Sequence, residues 1–132
     1  MDIMSGMKRT GYCGELSLED IGKEVVLITS EFLGKGNDDL GKILMKGFIY
    51  TLSETVPYPS KIMLINSAAK LSSENPETAE NLKKLEENGV KIMTCGTCLD
   101  FYNLKESLKA GIVANMYDIV EALKETENKI IV

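Results

Sequence analysis

The sequence contains no histidine. This absence excludes nucleophile pairs such as Ser-His and Cys-His, and every metal site that uses an imidazole ligand. The three cysteines alone cannot complete a structural zinc site, which takes four ligands, so carboxylates or a second subunit would have to contribute. We therefore expect a protein that binds no metal and needs no other cofactor.

Basic surface and long apolar segments are also scarce. The 15 lysines and arginines are outnumbered by 20 aspartates and glutamates, which gives a net charge of -5. A chain of this charge without a basic cluster is not expected to bind nucleic acid. No apolar run approaches the length that crosses a bilayer or forms a secretory signal. We expect a cytoplasmic protein with no membrane partner.

Two of the three cysteines lie close together, in Cys95-Gly-Thr-Cys98. An odd number of cysteines in a chain without a signal favours reduced thiols over a disulfide framework. The pair has three interpretations: small residues packed at the end of a strand, part of a metal site, or a site of thiol chemistry. We favour thiol chemistry, because no other strong nucleophiles lie near each other along the chain.

Short apolar segments alternate with segments of helical periodicity along most of the chain. This alternation predicts an α/β fold, a single three-layer domain whose mostly parallel, five-stranded sheet carries helices on both faces. We assign residues 24–132 to this domain and residues 1–23 to an N-terminal arm that is potentially flexible. The flavodoxin-like strand order 2-1-3-4-5 would put strands 1 and 3 side by side. The loop Gly34-Lys35-Gly36 would then lie next to Cys95.

For two of the predicted helices, the sequence assigns roles to particular residues. The helix predicted from Asp38 to Glu54 has apolar residues at helical spacing, which form one face of an amphipathic helix: Leu40, Ile43, Leu44, Phe48 and Leu52. Two alternatives stay open for the apolar surface of this helix: it belongs to the core, or it contacts another subunit. A second, short helix is predicted around Leu104 and Leu108, with Asn103 as its N-cap.

Cys95 is predicted to end the third strand, just before a helix begins. Free main-chain N–H groups and the helix dipole stabilise anions at such a position. A cysteine there can have its pKa lowered from about 8.5 to roughly 3.5–7.5, so the thiolate needs no histidine base. Cys95 is thus the main candidate for catalysis and Cys98 a secondary one. Candidate substrate-binding residues lie at the predicted strand ends and in neighbouring loops: Gly34, Lys35, Gly36, Asn66, Gly96, Thr97 and Asn115.

Four segments together resemble the DsrE/DsrF-like sulfur-relay family, and most closely the C-terminal domain of YedF-type proteins, which are linked to selenium metabolism. They are Gly34–Leu52, Asn66 with Lys70-Leu71, Cys95–Leu104 and Asn115–Glu121. The resemblance implies a parallel α/β fold, a homo-oligomer of three or six subunits, and a cysteine that carries sulfur as a persulfide. By its place after the third strand, that cysteine matches Cys95.

The family resemblance also bears on partners. YedF-type proteins begin with a TusA-like domain that carries a Cys-Pro motif, and this sequence has no Cys-Pro. We therefore expect the sulfur donor and acceptor to be other polypeptides, such as a TusA-like protein. The resulting hypothesis is a sulfur or selenium carrier, similar to a sulfurtransferase, that loads Cys95. Two alternatives remain: a non-catalytic module for small-anion binding or assembly, and a redox switch through a Cys95–Cys98 disulfide.

Overall fold

The computed structural model describes residues 20–132. Most of the predicted N-terminal arm, including Cys13, lies outside the described residues. The elements in chain order are β1 (Val25–Ile28), α1 (Asp38–Glu54), β2 (Lys61–Leu64), a 3-10 helix (Asn66–Ser72), α2 (Pro76–Glu87), β3 (Lys91–Cys95), α3 (Gly96–Phe101), a 3-10 turn (Lys105–Ser107), β4 (Ile112–Ala114), α4 (Met116–Glu125) and β5 (Lys129–Ile131).

The five strands form one sheet in which every neighbouring pair is parallel. Helices α1 and α2 cover one face, where they pack on alternate strand residues such as Val26 and Ile62. Helix α4 covers the other face, where it packs on the intervening residues such as Leu27 and Met63. The three-layer α/β class predicted from the sequence is therefore confirmed.

The order of the strands is β4-β3-β2-β1-β5, and not 2-1-3-4-5. From β1 to β4, each connection adds the next strand on the same side, with α1 and α2 on one face. The chain then returns across the opposite face through α4 and adds β5 beside β1. Strand β2 therefore separates β1 from β3, and the expected adjacency of the Gly34–Gly36 loop and Cys95 is wrong. Periodicity locates strands, but it does not set the direction of each crossover.

Helix α1 turns only part of its predicted apolar stripe toward the core. Its buried residues are Gly41, Met45, Ile49 and Ser53. Within the stripe, Phe48 and Leu52 pack against the core, whereas Leu40, Ile43 and Leu44 are 45–65% exposed. Gly41 allows close packing on the buried side of the helix, because a Cβ atom there would lie 2.8 Å from the Cβ of Phe32. The helix turns its glycine to the core and approaches the chain at Phe32 more closely than a larger residue would allow.

The short helix predicted after Asn103 is replaced by the end of α3 and a 3-10 turn. Asn103 adopts a left-handed φ of 58°. Its N–H donates to the Asp100 carbonyl at 3.1 Å, and the N–H of Leu104 donates to the Leu99 carbonyl at 2.8 Å. These two bonds form a Schellman motif, which Leu99 and Leu104 complete by packing together. Asn103 therefore ends α3 and does not cap a later helix.

Candidate functional site

The two motif cysteines occupy different positions at the carboxyl end of β3. Cys95 is the last residue of the strand and the N-cap of α3, with a φ of -60° and a ψ of 123°. Cys98 lies one helical turn later, so its side chain returns toward that of Cys95. Both thiols are free. The strand-to-helix junction therefore holds a dithiol pair.

Cys95 is only 4% exposed. Its side chain belongs to the apolar cluster between the sheet and α4, which includes Met93, Ala114 and Ile119. A thiol in such a cluster behaves as a small apolar side chain. Cys95 is consequently sheltered from large reagents, although it remains next to Cys98.

Cys98 is partly exposed, and its sulfur accepts a hydrogen bond from the main-chain N–H of Asn66 at 3.0 Å. Burial raises the pKa of the Cys98 thiol, and a hydrogen bond with the Cys95 side chain raises it further. The Asn66 N–H acts in the opposite direction and lowers this pKa, while electrostatic repulsion from Cys95 makes a smaller contribution that raises it. The net shift is upward, so Cys98 is mainly a protonated thiol near neutral pH.

Asn66 is placed by the segment that follows β2. It opens the 3-10 helix with a left-handed φ of 55°, a conformation that asparagine tolerates better than most residues. Its Oδ1 accepts a hydrogen bond from the hydroxyl of Tyr102 at 3.2 Å. The 3-10 helix is anchored to β3, because the hydroxyls of Ser72 and Thr94 form a buried hydrogen bond of 2.8 Å. The main-chain donor of Asn66 and its sulfur acceptor thus belong to two segments that are locked together.

A charged pair flanks Tyr102. The Nζ of Lys70 lies 4.9 Å from the centroid of the Tyr102 ring, a favourable cation–π distance. The same Nζ lies 3.4 Å from a carboxylate oxygen of Glu31, and the Glu31 side chain is only 17% exposed. Glu31 follows β1, so residues after three neighbouring strands are linked at this edge of the sheet.

Gly96, Thr97 and Asn115, which we predicted to bind substrate, line a separate hollow of about 340 Å³ between α3 and the start of α4. Asn115 is engaged there as the N-cap of α4, where its Oδ1 accepts the N–H of Asp118 at 2.8 Å. Asp100, Asp118 and Lys105 also line this hollow, and Lys105 is paired with Asp100 at 3.2 Å. The structure thus separates these three residues from the face on which Asn66 meets Cys98.

The loop Gly34-Lys35-Gly36 is exposed. Both glycines have a positive φ, 83° at Gly34 and 141° at Gly36, and a Cβ atom at either would meet nothing within 4 Å. The glycines are therefore needed for the turn and not for a close approach of the backbone to another part of the protein. A role of this loop in substrate binding stays a prediction.

Sequence reasoning missed Tyr102, Lys70 and Glu31 as parts of the site. Tyr102 comes four residues after Cys98, and Lys70 comes four residues after Asn66, so one helical turn separates each pair. This spacing would identify these residues only if it were already known that the two segments lie side by side.

Within residues 20–132, no group of three or more Cys, Asp or Glu side chains is arranged to hold a metal ion. No helix in this range has the length and apolar character needed to span a membrane.

The sequence model of the DsrE/DsrF-like family matches residues 51–132, which include both cysteines and every element from the last turn of α1 onward. The chain belongs to the DsrE/DsrF-like family. This family is associated with sulfur relay. No curated protein matches the chain.

Two solved structures share the fold of this DsrE/DsrF-like chain. The YchN protein from E. coli is 14% identical, with a TM-score of 0.63 over 85% of this chain and 100% of that one. The conserved protein of unknown function BT1422 from Bacteroides thetaiotaomicron is 15% identical, with a TM-score of 0.58 over 83% of this chain and 95% of that one. At these identities the likeness concerns the fold alone.

Proposed function

We propose that this protein is a sulfur carrier that accepts sulfur as a persulfide on the Cys95–Cys98 pair and passes it to a partner protein. The observation that carries the proposal is the placement of two free thiols, three residues apart, at the carboxyl end of a parallel sheet, with a main-chain N–H aimed at one of them. Sites in such sheets form at this edge. Membership of a family associated with sulfur relay supports the same chemistry.

Access and hydrogen bonding favour Cys98 as the thiol that meets the donor. Cys95 is 4% exposed, whereas Cys98 is partly exposed and receives the Asn66 N–H. The assignment of Cys95 as the sulfur-carrying residue, made from its place before a helix and from the family resemblance, stays a prediction. In the geometry of the site, Cys95 is better suited to a second role, as the thiol that contacts Cys98 from the interior.

The transfer step needs only a persulfide donor. The Cys98 thiolate attacks the outer sulfur of a donor R–S–SH, the S–S bond of the donor breaks, and R–S⁻ leaves. The product is Cys98–S–SH, with one new S–S bond and no net oxidation. A thiolate of the acceptor then attacks the same outer sulfur and restores the Cys98 thiolate. Because the pKa of Cys98 is raised, loading should become faster as the pH increases above neutrality.

The test is persulfide loading of the full chain with Cys13→Ser, read by intact mass spectrometry. Cysteine persulfide is the donor, and the variants are Cys95→Ser and Cys98→Ser. We expect a gain of one sulfur atom in the parent and in Cys95→Ser, and no gain in Cys98→Ser. If Cys98→Ser gains sulfur and Cys95→Ser does not, the roles of the two residues are reversed. Absence of loading in all three proteins would refute the carrier function.

A second candidate, a redox switch, is favoured by the two free thiols at the N-cap and in the first turn of α3, three residues apart. Two thiols in contact can close a disulfide when an oxidant takes their electrons. Titration with a glutathione redox buffer distinguishes the functions. A switch forms the intramolecular disulfide in this buffer at cellular potentials, whereas a carrier stays reduced in it and gains sulfur only when cysteine persulfide is added.

The proposal extends to partners and assembly. Donor and acceptor would be proteins with exposed persulfide or thiol groups, such as a TusA-like protein, and selenium would follow the same path as sulfur in a YedF-type relay. The exposed stripe Leu40, Ile43 and Leu44 on α1 supports a homo-oligomer, because exposed apolar patches often mark contacts between subunits.

A further inference from the structure

We propose that Tyr102 and Asn66 are positioning residues that hold a main-chain N–H on the sulfur of Cys98, with Lys70 and Glu31 fixing the tyrosine ring. This inference rests on the proposed function and assigns roles to four residues around the same thiol. The observations that support it are a continuous set of contacts from the end of β1 to the helix that carries Cys98.

The hydrogen bond to Cys98 depends on the position of Asn66. The donor is the main-chain N–H of Asn66, which lies 3.0 Å from the Cys98 sulfur. Asn66 is itself exposed and opens a 3-10 helix that has no side-chain cap. The first turn of such a helix leaves its N–H groups free to be aimed at a neighbouring acceptor. The Ser72–Thr94 hydrogen bond anchors the far end of this helix, so contacts of the Asn66 side chain add a constraint at its first residue.

Tyr102 supplies that constraint from the other side of the site. Its hydroxyl donates to Asn66 Oδ1 at 3.2 Å, and it is the C-cap residue of α3, the same helix that carries Cys98. The side chain of Asn66 is thereby tied to the helix whose sulfur its main chain contacts. Two hydrogen bonds therefore join Asn66 to α3, one from its N–H to the Cys98 sulfur and one from the Tyr102 hydroxyl to its side chain, so Asn66 and Cys98 move together.

Lys70 and Glu31 hold the tyrosine ring in place. Lys70 Nζ lies 4.9 Å from the ring centroid and 3.4 Å from Glu31. The ring of Phe101 packs edge-on against Tyr102, at 5.3 Å between centroids and 90° between planes. The Lys70 and Glu31 side chains are 28% and 17% exposed, so this pair is shielded more than an ordinary surface pair.

The N–H on sulfur assists both halves of a sulfur transfer. It stabilises the Cys98 thiolate that attacks the donor. Once Cys98 carries a persulfide, its own sulfur is the leaving group when an acceptor thiolate attacks the outer sulfur. A leaving thiolate that is stabilised departs faster, so loss of the positioning contact should slow delivery as well as loading.

The experiment follows alkylation of Cys98 by iodoacetamide as a function of pH in the full chain, with peptide-resolved mass spectrometry. Tyr102→Phe removes only the hydroxyl and keeps the ring. Asn66→Gly removes only the side-chain acceptor, while glycine keeps the N–H and accepts a positive φ. Tyr117→Phe is the matched control, since that tyrosine is 79% exposed on α4.

We expect Tyr102→Phe and Asn66→Gly each to slow Cys98 alkylation about threefold near neutral pH and to move the profile to higher pH, as loss of a modest hydrogen bond predicts. The double variant should match either single variant, because both break one contact. Tyr117→Phe should leave the profile unchanged. A Tyr102→Phe profile that coincides with the parent profile would overturn the positioning role.

Persulfide loading of the parent protein, measured in parallel, separates the two claims. If the parent takes up no sulfur while both variants shift the alkylation profile, the carrier function fails and the positioning role stands. If the parent loads sulfur while neither variant shifts the profile, the positioning role fails and the carrier function stands.

Discussion

Replacing Cys95 with alanine should make the protein less stable and its remaining motif thiol more reactive. Cys95 raises the pKa of Cys98 through a hydrogen bond and through its charge, and the alanine variant loses both effects. The pKa of Cys98 should therefore fall. More thiolate is then present near neutral pH, and alkylation of Cys98 should be faster than in the parent protein.

The expected loss of stability follows from the burial of Cys95. Its side chain is 4% exposed and packs with Met93, Ala114 and Ile119. Deleting one buried heavy atom from such a cluster costs about 1–2 kcal/mol, since the cavity left behind closes only in part. For a domain of this size, that corresponds to a fall in Tm of about 4–8 °C.

The assay uses a Cys13→Ser parent, so that Cys98 is the single thiol of the Cys95→Ala variant. Alkylation rates across pH and thermal unfolding are measured on the same samples. Cys98→Ala is the matched control, and it should lose less stability because Cys98 is partly exposed. Slower alkylation of Cys98 in a folded Cys95→Ala protein would refute the account of the thiol pair.

The remaining predictions concern strain, assembly and pH. Gly111→Ala should destabilise the protein by about 2–4 kcal/mol in urea unfolding, because its φ is 77° and a Cβ atom would collide with the Ile92 carbonyl. Gly34→Ala, with a similar φ of 83° in open space, should cost only about 1 kcal/mol, and equal losses would contradict this reasoning. Ile43→Glu should shift the protein to a smaller species in size-exclusion chromatography, and an unchanged elution volume would exclude this α1 surface from assembly. The raised pKa of Cys98 contributes stability that is complete below the unfolded-state pKa of about 8.5 and is lost as pH rises through the folded-state pKa. The parent should therefore lose stability to unfolding over this alkaline range, and Cys98→Ala, which has no thiol at this position, should lack that part of the loss.

Local sequence signals predicted the elements well, because the residues that carry them act over a few positions. Asn75 and Asn115 cap α2 and α4 as expected, and each accepts an N–H three residues later. Gly89, with a φ of 102°, lies just beyond the end of α2. The buried strands β1 to β3 correspond to the continuous apolar runs.

Features that depend on contacts between distant segments were not predictable from these patterns. The apolar stripe of α1 is divided between the core and solvent, and apolar spacing alone left open which residues meet the core. Asn103 is of a residue type that is common at N-caps, but here it is the left-handed residue that follows α3. The link between Asn66 and Tyr102 joins residues 36 positions apart and exists only because β2 and β3 are neighbours.

The same distinction applies to the thiol site. The motif placed Cys95 at a strand end and before a helix, as observed. It carried no information on which of the two thiols is accessible, since that depends on α4 packing over Cys95 and on the 3-10 helix beside Cys98. The burial of Cys95 and the hydrogen bond from Asn66 to Cys98 are therefore the reasons why we propose Cys98, and not Cys95, as the thiol that accepts sulfur.

The most direct test of the sulfur-carrier account is to locate the sulfur after loading. The full chain with Cys13→Ser is treated with cysteine persulfide, the persulfide is blocked by alkylation, and the peptide containing both motif cysteines is sequenced by tandem mass spectrometry. The account predicts the added sulfur on Cys98, with Cys95 unmodified. Sulfur found on Cys95 with Cys98 unmodified, or a peptide that gains no sulfur, would contradict it.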